Sequence, residues 1–321
     1  MSRKSLVIVT PVFNEEEVIA RFYERTRTVL ESSVRAYDWR ILFVVDQCTD
    51  GTLDRLRQIA LGDDRAQVLA MSSRFGHQMS LLAGVDHAAD ADAVIMMDSD
   101  LQHPPELIPR LLSEFEAGAD VVYTVRLDTE DASYLRKQLG TAFYRLLRGL
   151  SDVPIQENAA DFRLISPRVA RVLRDQIRER GLFLRGVLSW IGYRQAAVEY
   201  QAAARAGGRS KYTFSRMLSL ASAGIVSFST KPLRLGITIG IAFAAIGFLL
   251  GLITVVSYFI DRDLPSGWTT IVTLLLMFSG VQLVFMGIIG IYIGGIYEEV
   301  KRRPHYLIDE AINIEARESR L

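Results

Sequence analysis

The sequence predicts an α/β domain built on a mostly parallel sheet, followed by an interfacial amphipathic helix and two transmembrane helices. Three observations predict it. Short, continuously apolar runs alternate with amphipathic stretches over the N-terminal third; apolar residues later recur at three- and four-residue steps; and segments 235–260 and 268–297 carry no charge. Strands apolar on both faces and alternating with helices imply a parallel sheet covered on both sides. Each uncharged segment exceeds the roughly 20 residues needed to cross a bilayer core.

The elements follow in order. Leu6, Val7, Ile8 and Val9 form a first strand, and Pro11 ends a run too short for a secretory leader despite the basic residues ahead of it. After Asn14, the acids Glu15, Glu16 and Glu17 are expected in the first turn of an amphipathic helix, where the helix dipole favours them. A second strand runs from Ile41 to Val45, then a turn at Asp50-Gly51 and a second helix. "AQVLAMSS" and "DAVIMMD" are the third and fourth strands, separated by the helical "QMSLLAGVDHAAD". Ligands of such sheets bind at the carboxyl ends of the strands, and Asn14, Asp46 and Asp50 fall there.

At the end of the fourth strand, "MMDSDLQHPPEL" places Asp98 and Asp100 one residue apart. The period of two in an extended chain sends both carboxylates to one side. Held together they repel unless a cation lies beside them, and hard oxygen ligands favour Mg2+ or Mn2+ completed by substrate phosphates. A D-x-D tripeptide alone is weak evidence, and its position at the strand end gives it weight.

Composition limits the alternatives. Half of the 321 residues are apolar, and 37 basic residues balance 37 acidic ones, which gives no electrostatic case for a nucleic-acid partner. One cysteine, Cys48, excludes an internal disulfide. Lys231 and Arg234 precede the first uncharged segment and Lys301, Arg302 and Arg303 follow the second. The connecting "DRDLPSG" is net acidic, so both ends are expected in the cytoplasm of a multi-pass plasma-membrane protein. Phe214, Met217, Leu218, Ala221, Ile225 and Phe228 describe the interfacial helix. The domain plan is a cytoplasmic catalytic domain 1–212, an amphipathic helix 213–231, a membrane hairpin 232–300 (spans 232–260 and 268–297) and a cytoplasmic tail 301–321. Gly287, Gly290, Gly294 and Gly295 would permit close packing of hairpins or protomers, and so a homo-oligomer.

"TPVFNEEE", "VVDQCTDGT", "SSRFGHQMSLLAGVDHA", "MMDSDLQHPPELI", "NAADFRLIS", "FLRGVLSWIGYRQ" and "RAGGRSKYTFSRML" occur in register. In this the chain resembles family 2 glycosyltransferases of the polyprenyl-phosphate type, relatives of dolichol-phosphate mannose synthase and bactoprenol glucosyltransferases. The resemblance implies a GT-A fold, a nucleotide-sugar donor, a polyprenyl (undecaprenyl) phosphate acceptor and inverting transfer of one sugar. On its motifs, Pro11, Asn14, Glu15, Asp46, Asp50 and Asp98 fall on the donor side, with Arg205 and Lys211 in a cationic loop able to close over the diphosphate. Asp100 is the expected direct metal ligand, with Asp98 beside it holding ribose or a metal-bound water. Arg126, Arg136 and Lys137 supply cations for the acceptor phosphate. Asp161 is expected to face the reacting centre as base or orienter, its bland alternative being a helix N-cap.

The chain departs from the family pattern at Val45-Asp46-Gln47-Cys48, at Ser73-Arg74-Phe75 and at His103. The donor reads as a UDP-sugar, with UDP-glucose favoured and GDP-mannose the alternative. His77 reads as support for a helix start, Cys48 as a small residue in a tight loop, and Phe143 and Tyr144 as core, while His103, three residues after Asp100, could approach the metal edge but reads first as a structural histidine. A processive polysaccharide synthase is the rival enzyme, but the chain has no Q-x-x-R-W motif. A catalytically silent scaffold is the rival of a different class.

Overall fold

The computed structural model describes residues 3–127, 159–180, 182–201, 231–260 and 267–314. Arg136, Lys137, Phe143, Tyr144, Arg205, Lys211 and the expected interfacial helix lie outside the described residues. The first half alternates as the sequence predicts: β1 (Lys4–Val12), α1 (Ile19–Ser33), β2 (Tyr37–Val45), α2 (Thr52–Gly62), β3 (Ala66–Met71), α3 (His77–Ala88) and β4 (Ala93–Met96). After a 3-10 turn at Pro105–Leu107 come α4 (Ile108–Glu116), β5 (Val121–Leu127), β6 (Ala159–Ile165), α5 (Pro167–Asp175), α6 (Leu184–Trp190) and β7 (Gln195–Gln201). Two long helices, α7 (Lys231–Ile260) and α8 (Trp268–Val300), precede a last strand, β8 (Ile308–Ile312).

The eight strands form one sheet in the order β7-β5-β6-β4-β1-β2-β3-β8. β1 pairs parallel with β2 and β4, and β2 with β3; β6 and β8 join antiparallel, against β4 and β5 and against β3. Leu6, Ile8, Phe43, Ile95 and Phe162 are fully buried on the sheet, and α1 covers it with Ile19, Phe22, Tyr23, Thr26 and Leu30, one stripe at helical spacing. Phe22 meets Phe43 edge to face at 6.3 Å. α3 lies so close to β1 that a Cβ on Gly84 would collide with Val9 Cγ1, which leaves glycine the residue that fits.

Two local expectations need correcting. Glu15, Glu16 and Glu17 do not enter the first turn of α1, which begins at Ile19. Their backbone is held elsewhere: the Glu15 N–H donates to Thr52 Oγ1 (2.9 Å) and the Glu16 N–H to Asp50 (3.4 Å), while the Glu15 carbonyl accepts the Val18 and Ile19 N–H groups. The segment after residue 300, read as a tail, instead supplies β8, Ile308–Ile312, to the sheet edge. Its docking is polar as well as pleated: Glu310 pairs with Arg57 (2.6 Å), Asn313 Nδ2 donates to the carbonyls of Ala60 and Ala66, and the Tyr306 hydroxyl donates to buried Asp86 (2.7 Å).

The strand register positions the site. Val12 lies beside Val45 and Val9 beside Met96, so the carboxyl ends of β1, β2 and β4 open at one edge. β6 runs back along β4 with Met96 opposite Arg163. Continuing that antiparallel register by two residues sets Asp161 across from Asp98.

α7 and α8 form the second compact unit. Phe243 packs edge to face on Phe278 at 5.3 Å, and the α carbon of Gly236 faces the Phe285 ring, which makes the two helices antiparallel. Among the described residues one stretch, Phe278–Val300, is long and apolar enough to cross a membrane, and none of its apolar window is buried.

Candidate active site

Asn14, Asp46 and Asp50, at the β1 and β2 ends, are tied to hydroxyl and backbone groups. Asn14, in the left-handed region at φ 55, exchanges two hydrogen bonds with Thr49: its Nδ2 donates to the hydroxyl (3.0 Å) and its Oδ1 accepts the N–H (2.9 Å). Its own N–H donates to Cys48 Sγ at 3.3 Å, consistent with Cys48 as a small loop residue. Asp50 accepts from the Thr52 hydroxyl (2.6 Å) and N–H (3.1 Å). Burial acts to raise its carboxyl, but these bonds hold it below the usual range. Asp46, buried, accepts three backbone N–H groups, from Gln47 (3.2 Å), Phe75 (2.8 Å) and Gly76 (2.9 Å). It thereby pins the loop after β3, where Gly76 takes φ +90 immediately before α3.

A cavity of about 310 Å³ opens at this edge, lined by Pro11, Glu15, Asp46, Arg74, His77, Asp98 and Asp100 among others. That volume is at the lower end of small-molecule sites, roughly 300–1,000 Å³. Asn14 and Asp50, expected beside it, do not line it. Arg74 lies over the Phe13 ring at 4.3 Å, which holds a cation at the mouth. Asp100 is exposed, its carboxylate accepting from the Gln102 N–H (3.1 Å) and side-chain amide (2.7 Å).

The opposite wall is under electrostatic tension. Asp98 Oδ1 is shielded from solvent and has no hydrogen-bond partner among the described residues; it lies 3.6 Å from His77 Nε2. Asp161, a residue of β6 and not a helix cap, lies 3.5 Å from the same nitrogen, and the three donor atoms fall within 4.8 Å of one another. The cap of α5 is Ser166, whose hydroxyl accepts from the Val169 N–H. Arg185, on α6, grips Asp161 with both arms of its guanidinium, Nε to Oδ1 at 2.6 Å and Nη2 to Oδ2 at 2.7 Å.

These contacts set the charges. Burial raises the Asp98 carboxyl above its ordinary range, and Asp161 and Asp100 push the same way against His103 and His77. Burial also acts to raise Asp161, but Arg185 and His77 outweigh it and hold the carboxylate far below its usual range. His77 is lowered by burial and raised more by Asp161 and Asp98, so it binds its proton more tightly than a free histidine. His103 is structural: its Nδ1 accepts the Asp98 N–H (3.2 Å) and its ring stacks on Phe162 at 5.4 Å.

The residue set suits a divalent cation. A shielded Asp98 oxygen without a donor, with Asp161 beside it and Asp100 on the same cavity as Asp98, gives the hard oxygen ligands that Mg2+ and Mn2+ accept.

With this geometry in view, the relatives fall into place. The glycosyl transferase family 2 model matches residues 7–179. The chain belongs to that family. It is therefore a glycosyltransferase. A bactoprenol glucosyl transferase of prophage SfII in Shigella flexneri is 39% identical over 95% of this chain and 97% of its own. The prophage bactoprenol glucosyl transferase homolog of Escherichia coli K12 is 37% identical over 94% and 97%. The uncharacterized glycosyltransferase YkcC of Bacillus subtilis is 38% identical over 96% and 94%. Among solved structures, glucosyl-3-phosphoglycerate synthase from Mycobacterium tuberculosis aligns with a TM-score of 0.46 at 17% identity, over 70% of this chain and 78% of that one.

Sequence reasoning missed three side chains of this glycosyltransferase that act on the carboxylates Asp98, Asp100 and Asp161. His77 does start α3, as expected, yet its ring also reaches both aspartates. Arg185 sits in "FLRG", a motif quoted for the resemblance but given no role. Tyr200, on β7 opposite Arg126, was not singled out. Burial raises its hydroxyl, Arg126 pulls it back, and Asp100 and Asp98 raise it further, so it lies in the electrostatic field joining Arg126 to the acidic pair.

Proposed function

We propose that this glycosyltransferase transfers one sugar, with inversion, from a nucleotide-sugar donor to polyprenyl phosphate at a membrane, UDP-glucose being the first donor to test. The observation that carries the reading is the acidic cavity edge, Asp98 and Asp100 with Asp161 opposite, in a chain aligned along nearly its whole length with named bactoprenol glucosyl transferases. In the transfer, an oxygen of the acceptor phosphate forms a bond to the anomeric carbon while the bond from that carbon to the donor diphosphate breaks. The nucleoside diphosphate leaves with the electron pair. The phosphate is already anionic at neutral pH, so the site needs orientation and charge stabilisation more than a strong base. Asp161 suits that division of labour, since a carboxylate held so firmly ionised is a weak base and a good orienter.

Asp98 and Asp100 would hold Mg2+ or Mn2+, with His77 and Asp161 beside them, and the bound cation would neutralise charge on the leaving diphosphate. Pro11, Glu15 and Asp46 form the donor wall. Arg126 points the acceptor phosphate toward the edge, and Arg136, Lys137, Arg205 and Lys211 are proposed to assist as cations.

The membrane arm of the proposal rests on α7 and α8 as a two-span hairpin, with the sheet on the cytoplasmic face. β8 belongs to the sheet that the chain leaves after β7. If α8 crosses a bilayer, the chain must cross an even number of times before β8, and α7 supplies the second crossing. The basic residues at 231, 234 and 301–303 favour the cytoplasm for both ends.

Full-length protein in nanodiscs, supplied with undecaprenyl phosphate, Mg2+ or Mn2+ and a panel of UDP- and GDP-sugars, should release one lipid-linked monosaccharide of inverted configuration. A long polymer would point to a synthase. Absence of product, with no cation-dependent donor binding by calorimetry, would point to a silent scaffold.

A further inference from the structure

Two half-buried carboxylates facing one another across β4 and β6 repel, and the ordinary outcome is that one takes a proton and turns away. Asp161 does neither. Its side chain is 12% exposed, and both of its oxygens are engaged by the Arg185 fork. Arginine keeps its charge under all working conditions and presents donors in a fixed plane, so it dictates the plane of the carboxylate as well as compensating its charge. Arg185 is itself anchored to the site's own helix: the N–H of Leu184 donates to Gln78 Oε1 at 3.1 Å, and Gln78 follows His77 at the start of α3. Leu184, Val187 and Leu188 bury the rest of the short helix. One rigid group of α3, α6 and β6 therefore carries the imidazole, the guanidinium and the carboxylate together.

We propose that Arg185 is a positioning residue for sugar transfer, its guanidinium fork fixing the orientation in which Asp161 meets the reacting centre. This rests on the glycosyl-transfer reading above. It assigns to the "FLRG" motif a role in turnover and none in holding the donor. A lysine would supply the charge but could not impose the plane.

The test uses the protein in nanodiscs with R185Q, R185K and, as a control away from the cavity, R174A, whose arginine at the end of α5 pairs with Asp175 and with Asp90. R185Q is expected to lower kcat by about 10²-fold, the scale of a misplaced catalytic group, with donor KM changed less than about threefold. R185K should recover less than about a tenth of the lost rate. In a D161N background R185Q should cost nothing further, because the two act as a unit. Imidazole NMR gives a readout free of turnover: the His77 resonance, assigned with H77Q, should move in R185Q while His87 and His305 stay in place. Wild-type kcat in R185K, or raised KM at unchanged kcat in R185Q, would overturn the proposal. So would a loss of rate that merely follows a lowered melting midpoint. If the wild type transfers no sugar, the glycosyl-transfer reading fails, and an unmoved His77 resonance then sinks the Arg185 assignment separately.

Discussion

Two sides of one cavity use the same residue types in opposite ways. At the β1 and β2 ends, Asn14, Asp46 and Asp50 are saturated by backbone and hydroxyl donors, and the loops they tie together become a stiff wall. At the β4 and β6 ends, Asp98 keeps a shielded oxygen without a donor and Asp161 needs an arginine to remain where it is. Satisfied carboxylates hold structure, and unsatisfied ones store electrostatic free energy that a substrate or cation can release. An aspartate just past a strand thus says little by itself. What decides its role is the donors that the fold brings to it.

The sharpest break between the two sides should come from D98N. Turnover is expected to fall by about 10³-fold, yet the melting midpoint should hold or rise, because an amide removes the cost of burying a charge among other carboxylates. Activity assays and thermal denaturation on the same preparation check both halves. A midpoint that drops along with activity would place Asp98 with the structural group.

D46A should show the reverse order of effects. Three backbone N–H groups lose their acceptor, at a cost of about 3 kcal/mol, or a midpoint lowered by roughly 6–12 °C. Activity falls secondarily, as the loop carrying Arg74 loosens. A variant that melts like wild type but has lost donor affinity in calorimetry would make Asp46 a direct donor contact.

The contrast also marks how far the sequence could be read. β1 to β4 were legible because each is a local apolar run and each is followed by its own helix. The cavity edge was legible because parallel strands bring their carboxyl ends together whatever the details of their loops. Partner choice was not legible. Asp98 and Asp161 meet through an antiparallel pairing between strands more than sixty residues apart, and Arg185 reaches Asp161 from a separate helix, so no local periodicity announces either contact. β8 was hidden for a related reason: "IDEAI" is short and half polar, and only the exposed edge of β3 makes it a strand. Y306F tests that edge. Losing the hydroxyl bond to Asp86 while Arg178 still holds the carboxylate should cost about 1 kcal/mol, read as a small midpoint shift with turnover kept. No shift at all would mean that strand pairing alone docks the segment.

The smallest expected effect separates the two sides by pH. Burial lowers the His77 imidazole, but Asp161 and Asp98 outweigh burial and raise it above its ordinary value. The folded chain therefore binds that proton more tightly than the unfolded chain. The resulting stability is full below about pH 6.5, the unfolded value, and is lost as the pH rises through the raised folded value. H77Q removes it, so the melting gap between wild type and H77Q should be widest near pH 6 and close toward alkaline pH. Because His77 is partly exposed, salt should narrow its gap as well. A His77 gap that stays flat with pH would mean that the imidazole is neutral in the folded protein, and the opposing wall would then hold two carboxylates with Arg185 as their compensating cation.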